Sequence, residues 1–492
     1  STTADLEKIR AQIKRSQPAP IDFNIGTAGA GPVRAVFAPA DLIGIQFNRQ
    51  TRVSPVVLTL SFLPLPALNV VPGSVARVAF GKFRSPDYQT PDKYIPVTPT
   101  LLGQPVAQGS NELVVEMFLP TSPKPAGGWP VAIFGHGFTD SMYGAPWTVA
   151  SVLASRGIAT VAINVVGHGG GAQSSLYVVP TAGAPVGVPA GGRGIDQNGD
   201  DIIDSTEGVN AVAPRSIISS RDGLRQTVID IMQLVRQIEV GVDVDGDGAV
   251  DLDAQRIYYA GQSFGGIYGT ILLGVEPHIQ AGVPNVPGGS ITEVARLGVF
   301  RPLTGQALAT RVPSLINVVD PSGIAFNENI PLRNLPPVVN TVPGANAIQL
   351  VLDRFEWVQQ AGNPVSYASY IRKQPLRGNA PKPVIFQFAK GDTVVPNPTT
   401  TAILRAGDLA DRATYFRNDL AYLANPAVGN GPHTFLTNIA NPAGAPYAVA
   451  AQTQIAIFFA TNGVTVIDPD AGGPFFETPI VLPLPEGLNF IP

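Results

Sequence analysis

The sequence contains a G-x-S-x-G pattern, Gly261 to Gly265, with Ser263 at its centre. An apolar run at residues 256–260 predicts a strand before it, and residues 264–275 predict a helix after it. Glycines two positions before and after a serine allow the sharp strand-to-helix turn that exposes a nucleophilic hydroxyl. The pattern and its flanks therefore predict Ser263 as the nucleophile of an acyl-transfer enzyme. The alternative is a glycine-rich turn with an idle serine.

A nucleophilic serine needs a general base, and the chain has four histidines. His136 and His168 precede Ser263, whereas the order expected after such a turn is serine, acid, histidine. His278 follows too soon for an acid-bearing strand to intervene, so we interpret it as a surface or packing residue. By elimination the base is His433, in a late loop. The alternative is a turn histidine that caps local backbone.

The acid of the predicted triad should follow a late strand. Asp392 does so, because it comes directly after the predicted strand at residues 383–388. Its role would be to hold the imidazole of His433 in one tautomer and to stabilise the imidazolium. Three other aspartates lie between the serine and the histidine in helical or polar context, where we expect solvated surface: Asp408, Asp411 and Asp419.

Two backbone amides are predicted to bind the oxyanion. One is the amide of Phe264, directly after the nucleophile, and the other should come from the loop after an early strand. The segment Gly135–Phe138 follows the predicted strand at residues 130–134, so Phe138 is the second candidate. The alternative is that His136 and Gly137 form only a tight turn. A second Gly-His-Gly segment around His168 is interpreted as a turn that could line the pocket.

Two acidic loops have the spacing of a twelve-residue calcium loop, which supplies oxygen ligands at positions 1, 3, 5, 7, 9 and 12. The ligands predicted in the first loop, residues 196–207, are Asp196, Asn198, Asp200, the carbonyl of Ile202, Asp204 and Glu207. Those predicted in the second, residues 243–254, are Asp243, Asp245, Asp247, the carbonyl of Ala249, Asp251 and Asp253.

Both loops depart from the template. Position 6 of the first loop is Asp201 instead of glycine, and position 12 of the second is Ala254, so Asp253 must replace the usual glutamate. We expect up to two structural calcium ions and no sensor hand, because neither loop has clear flanking helices. The alternative is two solvated acidic turns.

Strands and helices alternate through the later part of the chain. Predicted strands at 130–134, 158–164, 256–260 and 383–388 are separated by predicted helices at 146–155, 215–238 and 264–275, and a late helix is predicted at 447–460. This alternation predicts an α/β fold, with a mainly parallel sheet and helices on both faces.

The predicted division of the chain has six parts. These are an N-terminal helix at 1–16, a β-rich region at 17–110, a first core part at 111–287 with an insertion at 169–212, a cap or lid at 288–382, a second core part at 383–465 and a C-terminal extension at 466–492.

Composition excludes several classes of protein. The chain of 492 residues has no cysteine, which excludes a disulfide scaffold and a thiol nucleophile. A net charge of −4 argues against a nucleic-acid partner. Residues 53–76 carry no charge but hold four prolines, which disfavours an integral membrane helix.

Together these motifs resemble the α/β-hydrolase superfamily over residues 111–465. The likeness rests on the early His-Gly segment, the second Gly-His-Gly, the serine turn, the segment Gly391–Pro396 and the late histidine. Residues 221–226 followed by 261–270 resemble bacterial extracellular or surface lipases and esterases. The resemblance implies hydrolysis of carboxylic esters through an acyl-enzyme, without an organic cofactor.

The leading hypothesis is a serine carboxylesterase or lipase-like enzyme that acts on a small-molecule, lipid-like or polymeric ester. Three alternatives stay open: a polyester depolymerase of the polyhydroxyalkanoate type, a serine peptidase of the prolyl-oligopeptidase type, and a non-catalytic binding protein on a hydrolase fold. The absence of cysteine, the non-methionine first residue and the calcium loops lead us to expect a secreted or cell-surface location.

Overall fold

The computed structural model describes residues 2–29, 31–98, 100, 102–329 and 341–487. In chain order the strands are β1 (Gly26–Ala28), β2 (Gly31–Val33), β3 (Val36–Phe37), β4 (Leu42–Arg52), β5 (Val57–Phe62), β6 (Val75–Asp87), β7 (Gly109–Pro120), β8 (Trp129–Gly135), β9 (Ala159–Ile163), β10 (Ser175–Pro180), β11 (Val186–Pro189), β12 (Leu252–Gln262), β13 (Ile279–Asn285), β14 (Phe386–Ala389), β15 (Ala413–Phe416) and β16 (Phe476–Glu477). The helices are α1 (Ala4–Arg15), α2 (Ala145–Ala154), α3 (Arg221–Val240), α4 (Phe264–Val275), α5 (Ile291–Leu297), α6 (Arg301–Ala309), α7 (Ala345–Gln359), α8 (Val365–Ile371), α9 (Asn397–Gly407), α10 (Asn418–Ala424) and α11 (Ala445–Ala460).

Ten strands form the main sheet, in the order β16-β15-β14-β13-β12-β8-β9-β7-β6-β3. The strands from β15 to β9 in this order are parallel, and the outer strands add antiparallel pairs at both ends. All five residues of β9 are buried, as is typical of a strand covered on both faces. The predicted α/β fold with a mainly parallel sheet is confirmed.

Helices cover the main sheet on both faces. The connection from β8 through α2 leads to β9, whereas the connection from β12 through α4 leads the other way along the sheet to β13. Because such crossovers are right-handed, connections that move in opposite directions place their helices on opposite faces. α2 packs against α11, and α4 packs against α3 and α8.

A second sheet has the order β2-β1-β11-β10-β4-β5. Its strands β10 and β11 come from the predicted insertion at 169–212, which therefore extends the N-terminal region. The face formed by residues such as Ile45, Phe47 and Leu176 packs against Phe80 and Phe118 of the main sheet. The predicted domain boundary at residue 110 falls inside β7, and the region 17–110 is divided between the two sheets.

The predicted cap is mostly helical. A small core of its own joins α6 and α7 through residues such as Leu308, Ile348 and Leu352. α8 instead packs against α4 and α9, so it belongs to the helical layer on the main sheet. Residues 330–340 of the predicted cap and 488–492 of the predicted C-terminal extension lie outside the described residues.

The predicted helix at 215–238 begins later than the sequence pattern indicates. Residues Ser216–Ile218 form a separate 3-10 turn, and Ser219 has a φ of 44°, which interrupts the helical backbone. α3 therefore starts at Arg221. The predicted strand at 383–388 is likewise shifted, since β14 covers Phe386–Ala389.

Candidate active site

Ser263 lies at a strained turn between β12 and α4. Its φ of 59° and ψ of −116° are unusual for a residue with a side chain. The turn is tightly packed, because a Cβ atom on Gly261 would lie 2.6 Å from the carbonyl oxygen of Gly265, and one on Gly265 would collide with Gly135 of β8. The two glycines therefore let β12, α4 and β8 approach closely while the serine hydroxyl projects from the sheet.

The structure brings Ser263, Asp392 and His433 together. The Nε2 atom of His433 lies 2.7 Å from the Oγ atom of Ser263, and its Nδ1 atom lies 2.7 Å from the Oδ2 atom of Asp392. A carboxylate can only accept a hydrogen bond, so Nδ1 carries the proton and Nε2 is left to accept the serine proton. This arrangement can activate a serine for nucleophilic attack.

Asp392 is fixed by the loop that follows β14. Its side chain is buried, and its Oδ1 atom accepts hydrogen bonds from the amides of Val394 and Val395, each at 2.9 Å. The other candidate acids are engaged elsewhere. Asp411 forms an ion pair with Arg372, Asp419 forms one with Arg417, and Asp408 ends α9.

The loop of the histidine is held by the residue next to the nucleophile. The Nε2 atom of Gln262 donates to the carbonyl oxygen of His433 at 3.1 Å. Motif reasoning assigned no role to Gln262, because it occupies a variable position of the G-x-S-x-G pattern. The long amide side chain was the only signal that could have indicated this contact.

The predicted oxyanion donors flank the serine. Phe264 is the first residue of α4, so its amide has no partner inside the helix. The loop of Phe138 is adjacent, because a Cβ atom on Gly137 would lie 3.5 Å from the Cβ atom of Ser263. Within the described residues, neither the Phe138 nor the Phe264 amide donates a hydrogen bond to another protein group. The two phenylalanine rings contact each other, with centroids 5.3 Å apart.

Two buried histidines connect the Phe138 loop to the loop after β9. The Nε2 atom of His136 accepts from the amide of Val165 at 3.2 Å, and its Nδ1 atom lies 2.9 Å from the carbonyl oxygen of Gly137. In the opposite direction, the Nε2 atom of His168 accepts from the amide of Thr139 at 3.2 Å. We call this reciprocal pair the histidine latch.

The latch histidines are neutral. Burial lowers the pKa of His136 to about 4, and burial together with the neighbouring His136 lowers the pKa of His168 to about 3. The Nδ1–H group of His136 donates to the carbonyl oxygen of Gly137, and that of His168 donates to the carbonyl oxygen of Val166. In both rings Nε2 remains a hydrogen-bond acceptor. The sequence analysis predicted an oxyanion donor in the first segment and a turn in the second, although their repeated Gly-His-Gly pattern was a signal for paired roles. His278 lies at the surface beside Glu276, as expected.

A cavity of about 360 Å³ opens beside Ser263. The cap contributes apolar side chains to it, among them Ile291, Val294 and Phe300, and the α3 side contributes Ser216, Ser219 and Ser220. Phe138 and Phe264 also line it, so the predicted oxyanion donors and the cavity meet at the serine. The arrangement can hold an apolar group against the nucleophile.

In the second acidic loop, three of the predicted ligands converge. Carboxylate oxygens of Asp243, Asp245 and Asp247 lie within 4.8 Å of one another. Two other predicted ligands contact protein groups in this structure. Asp251 is buried and accepts from the ammonium group of Lys124 and the amide of Val244, each at 2.6 Å. Asp253 pairs with Arg256 at 2.7 Å. Lys124 also lies 3.7 Å from a carboxylate oxygen of Asp247, so one cation is shared between Asp251 and the three converging carboxylates.

In the first acidic loop, the acidic groups bind the loop's own backbone. Asp196 accepts from the amides of Gly199, Asp200 and Asp201, and Glu207 accepts from those of Gln197, Asn198 and Asp204. No three of the carboxylates in this fully described loop lie within 4.8 Å of one another. The predicted set of Asp196, Asp200, Asp204 and Glu207, with Asn198 and Ile202, is therefore not assembled around one point.

Among the described residues, no helix has the length and apolar character needed to cross a membrane.

No protein-family model matches the sequence, and no curated protein matches it. Solved structures do show similarity. An acetyl xylan esterase from Paenibacillus sp. R4 is 14% identical with a TM-score of 0.39, over 82% of this chain and 85% of that one.

Two further structures illustrate the range of the likeness. Pyrococcus horikoshii acylaminoacyl peptidase is 13% identical with a TM-score of 0.42, over 84% of this chain but only 47% of that one. Est1E from Butyrivibrio proteoclasticus, solved with ferulic acid, is 18% identical with a TM-score of 0.31, over 62% and 84% of the two chains. From the strand order of its own main sheet and the turn at Ser263, we conclude that this chain has the α/β-hydrolase fold.

Proposed function

We propose that the protein is a serine hydrolase that cleaves carboxylic esters through an acyl-enzyme on Ser263. The observation that carries the proposal is the pair of 2.7 Å contacts linking Ser263, His433 and Asp392, with Ser263 lining an apolar cavity. A buried acid, an oriented imidazole and a serine at a strained turn are the groups that acyl transfer requires.

The reaction follows from these positions. The Oγ atom of Ser263 attacks the ester carbonyl carbon while Nε2 of His433 accepts the serine proton. The carbonyl oxygen becomes an oxyanion, which the Phe138 and Phe264 amides stabilise. His433 returns the proton to the departing alcohol, leaving the acyl-enzyme. Water then gives a proton to His433 as it attacks the acyl carbon, and collapse of the second intermediate releases the acid and restores the serine.

The cavity favours an apolar acyl or alcohol group of modest size. Its volume of about 360 Å³ is near the lower end of small-molecule sites, which run from about 300 to 1,000 Å³. We expect short and medium p-nitrophenyl esters to be hydrolysed faster than long ones. Ala295→Phe, which narrows the cavity, should shift the preference towards shorter acyl chains. An unchanged chain-length profile in this variant would contradict the use of the cavity.

Replacing the nucleophile tests the whole proposal. Ser263→Ala should abolish p-nitrophenyl ester hydrolysis and labelling by a fluorophosphonate probe, with an unchanged circular dichroism spectrum. Ser110→Ala, at an exposed site on β7, is the matched control and should keep both activities. Turnover or labelling that survives in Ser263→Ala would refute the assignment. Absence of labelling in the unaltered protein would favour a non-catalytic binding protein instead.

We also propose that the second acidic loop binds one structural calcium ion. Asp243, Asp245 and Asp247 could supply carboxylate oxygens and Ala249 a carbonyl oxygen, and calcium prefers such ligands. The loop joins α3 to β12, so the ion would stabilise the strand that leads to Ser263. Chelation with excess EGTA should lower the thermal midpoint, and Asp245→Asn should remove the effect. An unchanged melting curve, with no calcium by metal analysis, would contradict the proposal.

A further inference from the structure

Among the residues that the structure describes, none pairs with the outer edge of strand β5. It is the last strand of the second sheet, and all six of its residues are exposed, with Leu60 at 54% and Phe62 at 69%. Residues 53–64 contain no charged side chain. Proteins usually protect an exposed edge strand with charges, prolines or bulges, because its unpaired backbone groups can bind another strand. An apolar, uncharged edge of this length therefore indicates a surface that is covered by a partner.

The hydrogen-bond pattern shows which residues of β5 offer backbone groups to that partner. The amide of Leu63 donates to the carbonyl oxygen of Ile45, and β4 and β5 pair antiparallel in one register from there to Leu58, where the register shifts between Gln50 and Arg52 of β4. Antiparallel pairs alternate between bonded and non-bonded positions. Thr59 and Ser61 therefore bond to β4, whereas Leu58, Leu60 and Phe62 direct their amide and carbonyl groups outwards.

We propose that a second copy of this chain pairs with β5, antiparallel, about a two-fold axis at Leu60. In this register Leu60 lies opposite Leu60 of the other copy, and Leu58 lies opposite Phe62. Every outward backbone group then has a partner, which gives roughly six hydrogen bonds between the copies. The same three apolar side chains share one face of the strand, so they form a continuous apolar cluster across the axis.

Other registers are less favourable. A shift that places Leu58 opposite Pro64 loses a hydrogen bond, because proline has no amide hydrogen. A shift by one residue would place the apolar side chains opposite Thr59 and Ser61, which point to the other face. The adjacent strand adds no repulsion, since the β4 residues on the same face as Leu60 include the neutral Gln46 and Asn48.

The apolar area of the edge is close to what a specific dimer requires. Val53, Val56, Val57, Leu58, Leu60 and Phe62 are each between 42% and 69% exposed. With on the order of 150 Å² for a fully exposed side chain of this kind, the strip offers about 450 Å² per copy. Two copies would bring together about 900 Å² of side-chain surface, to which the paired backbone of β5 adds, and this is near the roughly 1,000 Å² that a specific interface should exceed.

A single engineered cysteine tests the register, because the chain has no native cysteine. In the proposed dimer the two Leu60 Cα atoms are about 5.5 Å apart, a distance that suits a disulfide. Leu60→Cys should therefore oxidise to a covalent dimer on a non-reducing gel. The matched control, Ser61→Cys, lies opposite Thr59 on the other face, so it should not form the covalent link and should run as a monomer on the same denaturing gel. Equal cross-linking of the two variants, or none in Leu60→Cys, would overturn the register.

Light scattering coupled to gel filtration tests the dimer itself. The unaltered protein at micromolar concentration should have twice the 51.4 kDa mass of one chain. Leu60→Lys should elute as a monomer and should keep its ester hydrolysis, since β5 lies outside the proposed catalytic groups. A monomeric unaltered protein would overturn the proposal. If that monomer bound phosphatidylcholine vesicles and Leu60→Lys did not, the partner would be a lipid surface and not a second copy.

Discussion

The two sheets of this protein have different organisations. The main sheet is buried on both faces at its centre, and three candidate groups follow the carboxyl ends of its strands: Phe138 after β8, Ser263 after β12 and Asp392 after β14. The second sheet is packed on one face, ends in the exposed strand β5 and carries none of these groups. Parallel strands direct their carboxyl ends to one edge, so the main sheet can gather groups that are distant in sequence.

The second sheet contributes packing to the first. Its buried face covers β6, β7 and α2, where Phe47 contacts Tyr143 with ring centroids 4.9 Å apart. Changes in the loops of the main sheet should therefore reduce catalysis and leave stability largely intact. Changes in the second sheet should reduce stability or assembly and leave the catalytic rate constants largely intact.

The largest effect should come from Asp392→Asn. The amide would leave His433 in the wrong tautomer, so kcat for ester hydrolysis should fall by about 10⁴-fold without unfolding the protein. Asp411→Asn, at the surface ion pair with Arg372, is the matched control and should retain nearly full activity. A large loss in Asp411→Asn with little loss in Asp392→Asn would reassign the acid.

The second sheet should respond in the opposite way. Phe47→Ala removes a buried ring from the contact between the sheets and should lower the free energy of unfolding by about 3–5 kcal/mol. Well below the lowered melting temperature, kcat/KM should stay within about threefold of the unaltered value. Urea titration and ester hydrolysis measured on the same sample would test this. A large loss of kcat with unchanged stability would break the proposed division between the sheets.

The sequence predicted β8, β9, β12, β14, α2 and α4, because each has a strong local signal, but it did not predict β13, which lies between β12 and β14. A buried strand, a glycine-flanked serine and an apolar helix identified Ser263, and chain order was enough to select Asp392 and His433. The calcium-loop template was less reliable. It could not show that Lys124 binds Asp251 or that Arg256 binds Asp253, since Lys124 is distant in sequence and the template ignores neighbouring cations.

Contacts between segments that are distant in sequence were the main feature that local patterns did not predict. Strands β10 and β11 lie more than a hundred residues after β4, yet they share a sheet with it. Their residues looked like a loop-rich insertion because their partners are distant in sequence. The histidine latch was missed for the same reason, since each ring accepts from an amide in the loop that follows a different strand.

The latch itself predicts a smaller catalytic effect. His168→Leu removes the acceptor for the Thr139 amide, so the adjacent Phe138 amide should be less well positioned for the oxyanion. We expect kcat to fall by about 10- to 100-fold with little change in KM, because the lost interaction acts only in the transition state. His168→Gln keeps an acceptor and should recover part of the rate. The surface variant His278→Gln is the control and should be unaffected.

A purely structural role for His168 would give a different result. In that case His168→Leu would lower the melting temperature, and kcat measured well below that temperature would equal that of the unaltered protein. His168→Gln would then give no advantage in rate at matched stability. Either outcome would show that the histidine latch stabilises the fold and does not position the Phe138 amide.

We expect the smallest effect in the dependence of the free energy of unfolding on acidic pH. The contribution of histidines to this dependence should come from the main sheet, since the second sheet has no histidine. Folding lowers the pKa values of His136 and His168 from about 6.5 to about 4 and about 3, because both rings are buried. Between pH 6.5 and pH 4, the unfolded chain therefore binds more protons than the folded chain. The free energy of unfolding should therefore be insensitive to these groups above pH 6.5 and should decrease as the pH falls towards 4.

Each latch histidine can contribute at most about 1.4 kcal/mol per pH unit in that range. The double variant His136→Gln, His168→Gln should therefore lose less stability than the unaltered protein between pH 6.5 and 4, as measured by urea titration at each pH. Equal slopes in the unaltered protein and the double variant would contradict this prediction, because both latch histidines would then bind protons in the folded protein. The Phe138 loop would in that case stay in place without two buried neutral histidines.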